Sequence, residues 1–252
     1  MSDILPTVLA VIPARLSSSR LPDKVLLPIG DKSMLQRVYE QCLQCKQIDK
    51  VIIATDHQRV FEHAQSFGAV VEMTSADHPS GTDRVAEVAE RNGNYSHVVN
   101  VQADEPFLEP LAVDLLVEVL LESKAPIATL VSFLDDEELL SRPSVVKVVR
   151  DVFGNALYFS RAKIPHRRDE HSGESRCIFF RHHGIYAFER QALLEMRSMV
   201  PSALERCEQL EQLRWLENGL RIMTAVIDSN VPGVDTPSDY EAALRFAREK
   251  GI

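Results

Sequence analysis

The chain has 252 residues, of which 45% are hydrophobic and 26% charged, as in an ordinary globular protein. This composition excludes a disordered, collagen-like or low-complexity chain. The 28 Lys and Arg residues against 37 Asp and Glu residues give a formal net charge of −9, which argues against a general binder of nucleic acid or of anionic membranes. An anionic substrate would therefore need a local cluster of basic residues.

The first half of the chain alternates between strand-like and helix-like segments. In chain order the pattern predicts strands over residues 7–12, 51–54, 69–71 and 97–101, alternating with helices over residues 33–46, 58–67, 83–91 and 110–123. The strands are continuous apolar runs, which is typical of parallel strands that are buried on both faces. The order predicts an α/β fold with a mostly parallel, twisted sheet and helices on both faces.

The second half carries shorter strand-like segments, at residues 145–149, 156–159 and 185–188. They predict a smaller antiparallel lobe near residues 127–190, inserted into a single α/β domain that spans residues 1–252. Two further helices are predicted over residues 203–218 and 237–250. Thr236 fits the N-cap of the second of these helices.

The chain carries no sequence signal for a membrane or for export. No apolar run reaches the ~20 residues of a spanning helix, and residues 1–4 lack the basic and apolar regions of a signal peptide. We therefore expect a cytoplasmic protein. The four cysteines, Cys42, Cys45, Cys177 and Cys207, fit a reducing compartment and are expected to be buried thiols rather than zinc ligands.

The loop after the first predicted strand concentrates positive charge. Arg15, Arg20 and Lys24 lie within ten residues, together with the consecutive serines 17–19. Arginine offers planar bidentate donors, lysine offers a point charge, and a loop of this kind adds hydroxyl and backbone N–H groups. Because ligands of open α/β sheets bind at the carboxyl ends of the strands, we expect this loop to hold a triphosphate. Its spacing is neither that of a P-loop nor that of a dinucleotide-binding loop.

Acidic residues follow the fourth predicted strand and precede the last helix. Asp104 and Glu105 are neighbours, and neighbouring side chains on an extended backbone point opposite ways, so only one of them is expected to face a ligand. Mg²⁺ takes one or two carboxylates together with water and substrate phosphates, a role that fits Asp104. Asp235 supplies another carboxylate, although by itself it belongs to a helix-capping motif.

Other polar clusters leave two interpretations open. The Thr55-Asp56-His57 segment and Ser80 fit either helix caps or ligand-binding groups. His182, beside a predicted strand, fits a structural group as well as a ligand contact. Glu211 lies among apolar residues of the predicted helix 203–218 and needs a partner, which is either a set of substrate hydroxyls or an internal arginine.

Eight short motifs occur in order along nearly the whole chain. They are Ile12-Pro13-Ala14-Arg15 with Ser19-Arg20-Leu21-Pro22 and Lys24, Ala54-Thr55-Asp56, Ser80-Gly81-Thr82-Asp83-Arg84, Asn100-Val101-Gln102 with Asp104-Glu105-Pro106, Ala156-Leu157-Tyr158-Phe159-Ser160-Arg161, Arg181-His182 with Gly184-Ile185-Tyr186, Leu210-Glu211-Gln212-Leu213-Arg214, and Val234-Asp235-Thr236-Pro237. With this set the chain resembles the 3-deoxy-manno-octulosonate cytidylyltransferases, also called CMP-KDO synthetases, from about Val8 to Tyr240.

The resemblance implies transfer of CMP from CTP to 3-deoxy-D-manno-octulosonate (KDO), which releases diphosphate and gives CMP-KDO for lipopolysaccharide biosynthesis. It implies a nucleotide-diphospho-sugar-transferase-like α/β fold, Mg²⁺ as cofactor and a cytoplasmic homodimer. In such a reaction the anomeric hydroxyl of KDO attacks the α-phosphorus of CTP directly. Positioning and charge neutralisation therefore carry most of the catalysis, and no nucleophilic side chain is expected.

The resemblance also implies roles for individual residues. The nucleotide-binding set is Ala14, Arg15, Arg20, Lys24, Ser80 and Thr82. The sugar-binding set is Gln102, Arg161, His182, Tyr186, Glu211 and Gln212. Asp104 and Asp235 are the implied Mg²⁺ ligands, and Lys24, Arg15 and Asp104 are the implied catalytic residues.

Two positions depart from the usual pattern of these enzymes, because Asp23 and Ala103 stand where glycine is usual. Asp23 adds negative charge near the phosphates and is expected to weaken CTP binding somewhat. Ala103 puts a methyl group where the backbone approaches the ligand.

Two other functions remain open from the sequence. One is a cytidylyltransferase for a related acid sugar, such as 8-amino-KDO or a sialic acid, whose pocket would differ around Gln102, His182 and Tyr186. The other is a non-catalytic nucleotide-sensing module. Such a module is expected to have lost Lys24 or one of the metal carboxylates, and all three residues are present.

Overall fold

The structure is a computed structural model that describes residues 5–16, 20–168, 178–228 and 233–252. The strands of the described chain are β1 Val8–Pro13, β2 Pro28–Ile29, β3 Lys32–Ser33, β4 Lys50–Thr55, β5 Val71–Met73, β6 His97–Asn100, β7 Ile127–Phe133, β8 Lys147–Arg150, β9 Ala156–Ser160, β10 Phe180–Glu189 and β11 Ile222–Ile227. Its helices are α1 Met34–Cys42, α2 Gln58–Ser66, α3 Gly81–Arg91, α4 Pro110–Ser123, α5 Glu137–Ser141, α6 Arg190–Met196, α7 Ala203–Glu208, α8 Gln212–Glu217 and α9 Pro237–Lys250, with a 3₁₀ helix at Lys24–Leu26. Among these helices none is long and apolar enough to cross a membrane.

The chain forms two compact units. The first unit comprises Met1–Asp114, Glu189–Arg197 and Asn230–Ile252, and the second comprises Leu115–Phe188 and Ser198–Ser229. Residues 127–188 of the predicted lobe all belong to the second unit. The assignment of the whole chain to a single domain stays a prediction.

In the first unit, β1 is the centre of a parallel sheet. It pairs in parallel with β6 on one side and with β4 on the other, and β5 extends the sheet beyond β4. Leu9, Ala10, Val11 and Ile12 have no exposed surface. This explains why the strand is apolar at successive positions, since a strand covered on both faces has no solvent-facing side.

Side-chain caps mark the start of the helices α1, α2, α3 and α9 of the first unit. Ser33, His57 and Ser80 each accept a backbone N–H from the first turn of α1, α2 and α3. Thr236 and Asp239 form a reciprocal capping box at the start of α9, which confirms the predicted cap. Other predicted bounds were wrong by a few residues. The first helix ends at Cys42 rather than at residue 46, and the third strand is β5 rather than residues 69–71.

The second unit mixes strand directions. β7 pairs in parallel with β11 and antiparallel with β10. β8 pairs antiparallel with both β10 and β9. The predicted α/β class, with mostly parallel pairing and an antiparallel part, is therefore confirmed. The strands β7 and β11 themselves were not predicted.

The predicted helix over residues 203–218 is wrong. α7 ends at Glu208, and Gln209 adopts the left-handed conformation with φ 53°, so the chain turns before α8 begins at Gln212. The thiols also differ in part from expectation. Cys42 and Cys45 are buried, but Cys207 is exposed, and Cys177 lies outside the described residues, as do the serines 17–19.

Candidate active site

A partly buried lysine lies between two aspartates in the first unit. Lys24 is on the 3₁₀ helix that follows β1, and its side chain is 13% exposed. Its Nζ donates to Asp104 Oδ2 at 2.6 Å and to Asp235 Oδ1 at 3.0 Å. The two carboxylate oxygens are therefore no farther apart than these two distances combined. We call Lys24, Asp104 and Asp235 the Lys24 cluster.

Strand order explains how these three residues meet. β1 and β6 are parallel neighbours, so the loops that follow them, which carry Lys24 and Asp104, leave the same edge of the sheet. The Val234 N–H donates to the Asp104 carbonyl at 2.9 Å and holds the segment before α9 against the loop after β6. Asp235 is the next residue, directly before the cap of α9, so a helix-capping segment also supplies a member of the cluster.

Lys24 is held in its charged form by the two aspartates. Burial alone would lower the pKa of Lys24, but the charges and hydrogen bonds of Asp104 and Asp235 outweigh it and raise that pKa above its ordinary value. Arg20 is a more exposed cation whose Nη2 lies 3.3 Å from Asp235 Oδ1. Lys24 and Arg20 thus balance the charges of Asp104 and Asp235, so an anionic ligand meets a net positive charge here only if a further cation binds.

Arg15 leaves the sheet next to this edge. Ala14 is fully buried, and its N–H donates to the Ala54 carbonyl at 2.8 Å, which continues the pairing of β1 with β4. Arg15 Nη2 donates to the His78 carbonyl at 2.6 Å. Burial, and then the charge of Arg84, lowers the pKa of Arg15. Among the described residues its Nε is buried without a hydrogen-bond partner.

Two of the polar residues after β4 and before α3 cap the helices that follow them. Ser80 Oγ accepts the Asp83 N–H at 3.1 Å and donates to the Asp83 carboxylate at 2.6 Å. His57 caps α2, so the helix-cap interpretation holds for both segments. Asp56 instead forms an ion pair of 2.8 Å with Arg84, whose side chain is fully buried.

In the second unit, a bulge in β10 brings His182 and Tyr186 together. His182 lies opposite Val131 of β7, and Tyr186 lies opposite Thr129, so four steps along β10 span only two along β7. In a regular strand, residues four apart would be separated by about 13 Å. The ring centroids here are 5.4 Å apart. Gly184 lies within the irregular part of the strand, where a bulge re-aims side chains.

Thr129 determines which nitrogen of His182 carries the proton. Thr129 Oγ1 lies 2.8 Å from the Ile185 carbonyl and 3.0 Å from His182 Nε2. The single hydroxyl proton goes to the carbonyl, so we assign the Nε2 proton to His182, which leaves Nδ1 as an acceptor. Burial, followed by the charges of His183 and Arg181, lowers the pKa of His182 to about 3. His182 is therefore a neutral hydrogen-bonding group near pH 7.

Tyr186 presents a buried hydroxyl. Its ring packs edge-on against Trp215, with centroids 5.1 Å apart, and stacks on Phe188. Within the described parts of the chain, the hydroxyl has no hydrogen-bond partner. Burial, and then the charge of Glu211, raises the pKa of Tyr186 well above its ordinary value, so the group stays protonated. A buried donor of this kind is costly unless a ligand or water accepts its proton.

Arg161 holds the turn between α7 and α8. Its guanidinium donates to the carbonyls of Glu208 at 2.7 Å, Pro143 at 3.0 Å and Gln209 at 3.1 Å. Its backbone N–H donates to the Glu208 carboxylate at 2.9 Å. The turn determines where Glu211 lies, so Arg161 supports a predicted sugar-binding residue as well as being predicted as one itself.

The remaining predicted sugar-binding residues lie in both units. Glu211 Oε1 is 3.7 Å from Arg214 Nη2, so the structure contains the internal arginine that was one of its two predicted partners. Gln212 is buried in the second unit. Gln102 belongs to the first unit, where its Nε2 lies 3.4 Å from Asn100 Oδ1.

Comparison with known proteins decides the family. The cytidylyltransferase family model matches residues 9–222. This chain belongs to the cytidylyltransferase family. A 3-deoxy-manno-octulosonate cytidylyltransferase of Solibacter usitatus is 47% identical over 240 residues, which cover 95% of this chain and 94% of the relative. One of Geobacter sulfurreducens is 44% identical over 245 residues, which cover 94% and 98%.

A solved structure has the same fold as this cytidylyltransferase. It is CMP:2-keto-3-deoxy-manno-octonic acid synthetase complexed with CTP, and it is 38% identical to this chain. The TM-score is 0.91, and the match covers 97% of this chain and 99% of the other. The predicted nucleotidyltransferase-like fold is thus confirmed.

In the described residues of this cytidylyltransferase, an acidic pair fits a magnesium ion. Asp104 and Asp235 are hard oxygen donors gathered around a single cation, the Lys24 ammonium. In the described residues, this place included, no three His, Cys, Asp or Glu side chains are placed together to hold a metal. Two carboxylates suit Mg²⁺, because phosphates and water supply its other ligands. Metal binding, and the ligand-binding roles of the predicted site residues such as Thr82, stay predictions.

Sequence reasoning missed two residues that shape the second unit of this cytidylyltransferase. Thr129 is one of two hydroxyl residues, with Ser132, in the apolar strand β7, and a hydroxyl inside a buried run is a usable signal. Lys147 is fully buried, and its Nζ donates to the carbonyls of Arg142, Val145 and Arg161. Nothing in the sequence pattern marks Lys147, because its partners are backbone atoms.

The structure shows why glycine is usual at the position of Asp23, the first of the two departures from the family pattern. Its φ of 53° lies in the left-handed region that favours glycine. Its carboxylate lies 3.1 Å from Arg59 Nη1, so a cation already compensates the added charge. Ala103 is 6% exposed, so its methyl group is buried.

Proposed function

We propose that this cytidylyltransferase transfers CMP from CTP to KDO and releases diphosphate. The product CMP-KDO would be the activated sugar for lipopolysaccharide assembly. The observation that carries the proposal is the Lys24 cluster, an ammonium and two carboxylates at the carboxyl edge of a parallel sheet. It occurs in a chain that is 47% identical, over 95% of its length, to a curated 3-deoxy-manno-octulosonate cytidylyltransferase.

The proposed reaction moves one nucleotidyl group. The anomeric oxygen of KDO forms a bond to the α-phosphorus of CTP, while the bond from that phosphorus to the bridging oxygen of the β-phosphate breaks. The electron pair of the broken bond stays on diphosphate, and the hydroxyl proton passes to solvent. Because negative charge grows on the leaving diphosphate, the charged side chains of Lys24 and Arg15 are placed to stabilise it.

Mg²⁺ is the proposed cofactor, with Asp104 and Asp235 as its protein ligands. When bound, the ion would neutralise phosphate charge as a Lewis acid. The arrangement of the two carboxylates around Lys24 supports this role, since the pair is already organised to accept positive charge. Lys24, which lies between the two carboxylates, is the proposed contact to the same phosphates.

The second unit supplies the proposed groups for the sugar acid. KDO carries several hydroxyls and one carboxylate. His182 offers a neutral acceptor at Nδ1, which suits a sugar hydroxyl better than the carboxylate, and Tyr186 offers a buried donor hydroxyl, which suits either. Arg161 is the cation of the predicted set, although three of its donors already bind backbone carbonyls.

A cytoplasmic homodimer is also part of the proposal. Phe133, Phe153 and Leu157 of the second unit are 58%, 80% and 60% exposed, and apolar side chains of this size are commonly covered at subunit interfaces. Cys42 and Cys45 are free thiols, in keeping with a reducing compartment.

Diphosphate release tests the function directly. The purified protein is incubated with Mg²⁺ and each of CTP, UTP, ATP and GTP, with KDO, 8-amino-KDO, a sialic acid or no sugar. We expect release that requires both CTP and KDO. Release with 8-amino-KDO or sialic acid but not with KDO would replace the proposed substrate by that sugar. CTP binding without release on any sugar would instead identify a nucleotide-sensing module.

A further inference from the structure

One carboxylate of α3, that of Glu87, binds two residues in the middle of the loop of residues 74–80, whose ends Thr74 and Ser80 also contact α3. Glu87 Oε2 accepts the Ser75 N–H at 3.0 Å and also contacts His78 Nε2. Glu87 Oε1 contacts the Arg91 guanidinium one turn later on α3. The side chains of Glu87 and His78 are 15% and 9% exposed, so the pair is shielded from water. A shielded and fully paired carboxylate holds its partners more firmly than a surface ion pair does.

The same loop orients Arg15. The His78 carbonyl accepts the hydrogen bond from Arg15 Nη2 at 2.6 Å. Among the described residues, this is the one hydrogen bond that the Arg15 guanidinium makes. Its Nε has no hydrogen-bond partner there. The charge of Arg84 repels Arg15 while those of Asp56 and Asp83 attract it, and the His78 carbonyl is the hydrogen-bond acceptor that gives the guanidinium one direction.

We infer that Glu87 is a positioning residue for the nucleotide. It fixes the loop through Ser75 and His78, and the loop fixes Arg15 through the His78 carbonyl. The inference rests on the proposed function in one respect, since it takes the triphosphate of CTP as the ligand of Arg15. Glu87 itself touches no substrate in this account.

The first test compares two glutamates of the same helix. Glu87→Gln removes the charge that pairs with His78 and Arg91 and keeps the shape of the side chain. Glu90→Gln is the matched control, because Glu90 is also on α3 but is 62% exposed and pairs with Arg197. CTP affinity is measured by equilibrium titration of the full chain, with thermal unfolding as a check of folding. We expect Glu87→Gln to weaken CTP binding about fivefold to tenfold and Glu90→Gln to leave it unchanged.

Coupling to Arg15 separates positioning from general support of the fold. In an Arg15→Ala background, Glu87→Gln should weaken CTP binding no further, because its effect passes through Arg15. His78→Phe, which keeps the ring and the carbonyl but loses the contact with Glu87, should weaken CTP binding as Glu87→Gln does. The KM for KDO should stay within about twofold in all single variants, as expected for residues whose effects are independent of the sugar groups.

The possible results have distinct meanings. Wild-type CTP affinity in both Glu87→Gln and His78→Phe would overturn the inference and leave the proposed function standing. A full additional loss in the Arg15→Ala background would also overturn it, since Glu87 would then act by another route. Absence of CTP binding by the wild-type chain would overturn the proposed function itself.

Discussion

The ammonium of Lys24 donates to the carboxylate of Asp104 at 2.6 Å across 80 positions of sequence. Asp235, more than a hundred positions farther along, accepts a second hydrogen bond from the same ammonium. One cation thus organises two carboxylates that come from different loops of the sheet edge. A phosphate or a metal ion bound at this edge would compete for these three charged groups, so we predict that the Lys24 cluster couples CTP binding to Mg²⁺ binding.

Replacement of Lys24 should affect the rate more than substrate binding. Lys24→Ala removes the cation nearest to the proposed leaving diphosphate and leaves the two aspartates without their shared partner. We expect kcat to fall on the order of a hundredfold, equivalent to about 3 kcal/mol of transition-state stabilisation. Diphosphate release at saturating CTP and KDO measures it. Lys32→Ala, which breaks the surface pair with Glu40, is the control and should retain the wild-type rate. An unchanged kcat in Lys24→Ala would remove Lys24 from the proposed chemistry.

Loss of either aspartate of the Lys24 cluster should raise the Mg²⁺ concentration that the reaction needs. Asp235→Asn and Asp104→Asn keep the shape of the side chain and remove its charge, so the Mg²⁺ concentration that gives half-maximal activity should rise about tenfold or more. Activity is titrated with Mg²⁺ at fixed CTP. Asp31→Asn is the control, since Asp31 is a 78% exposed partner of Arg37 away from the cluster. A wild-type titration curve in both variants would show that these carboxylates do not bind the ion.

Asp23→Gly should stabilise the fold with little effect on CTP. Glycine adopts φ 53° without steric cost, whereas Asp23 is held there against its preference. We expect the free energy of unfolding to rise by roughly 0.5–1 kcal/mol, less any contribution of the exposed pair with Arg59. Urea denaturation measures it. CTP affinity should change less than about twofold, because Arg59 already offsets the charge. A large gain in CTP affinity would mean that Asp23 opposes the phosphates after all.

The parts of the fold that local pattern governs were predictable from the sequence. The buried strands of the first unit are continuous apolar runs, and α9 begins at its predicted cap. The basic loop was predictable because Arg15 and Lys24 stand out in an acidic chain. β7 was not recognised, since a short apolar run does not by itself distinguish a strand from a buried helix.

Two features of the site depend on contacts between distant segments. The break after α7 is held by Arg161, which lies 47 positions from Glu208. Helical periodicity continues through Gln209 without a glycine or proline to mark a stop, so the sequence predicts one long helix. The approach of His182 to Tyr186 likewise needs the register of β10 against β7, which a single strand does not encode.

Buried histidines should make the protein sensitive to acid. The folded chain holds the pKa of His182 at about 3 and that of His183 at about 4, against an ordinary value of 6.5. As the pH falls below 6.5, the unfolded chain therefore takes up protons that the folded chain does not, and the free energy of unfolding decreases toward pH 4. Urea denaturation at a series of pH values should show this slope, and His182→Gln should make it shallower. The same slope in wild type and variant would contradict the assigned burial.

Thr129 links the stability of the β10 bulge to the proposed sugar site. Its hydroxyl satisfies the Ile185 carbonyl and holds His182 Nε2, so Thr129→Val leaves both groups without that partner. We expect a loss of about 1–3 kcal/mol in the free energy of unfolding. We also expect the KM for KDO to rise several-fold with an unchanged KM for CTP, because His182 loses its fixed orientation.

Thr224→Val is the matched control. Thr224 is buried in the same unit, and its hydroxyl donates to the Gly154 carbonyl at 2.7 Å. It should cost similar stability and leave both KM values at wild type. Equal effects of the two variants on the KM for KDO would show that Thr129 supports the fold without positioning His182.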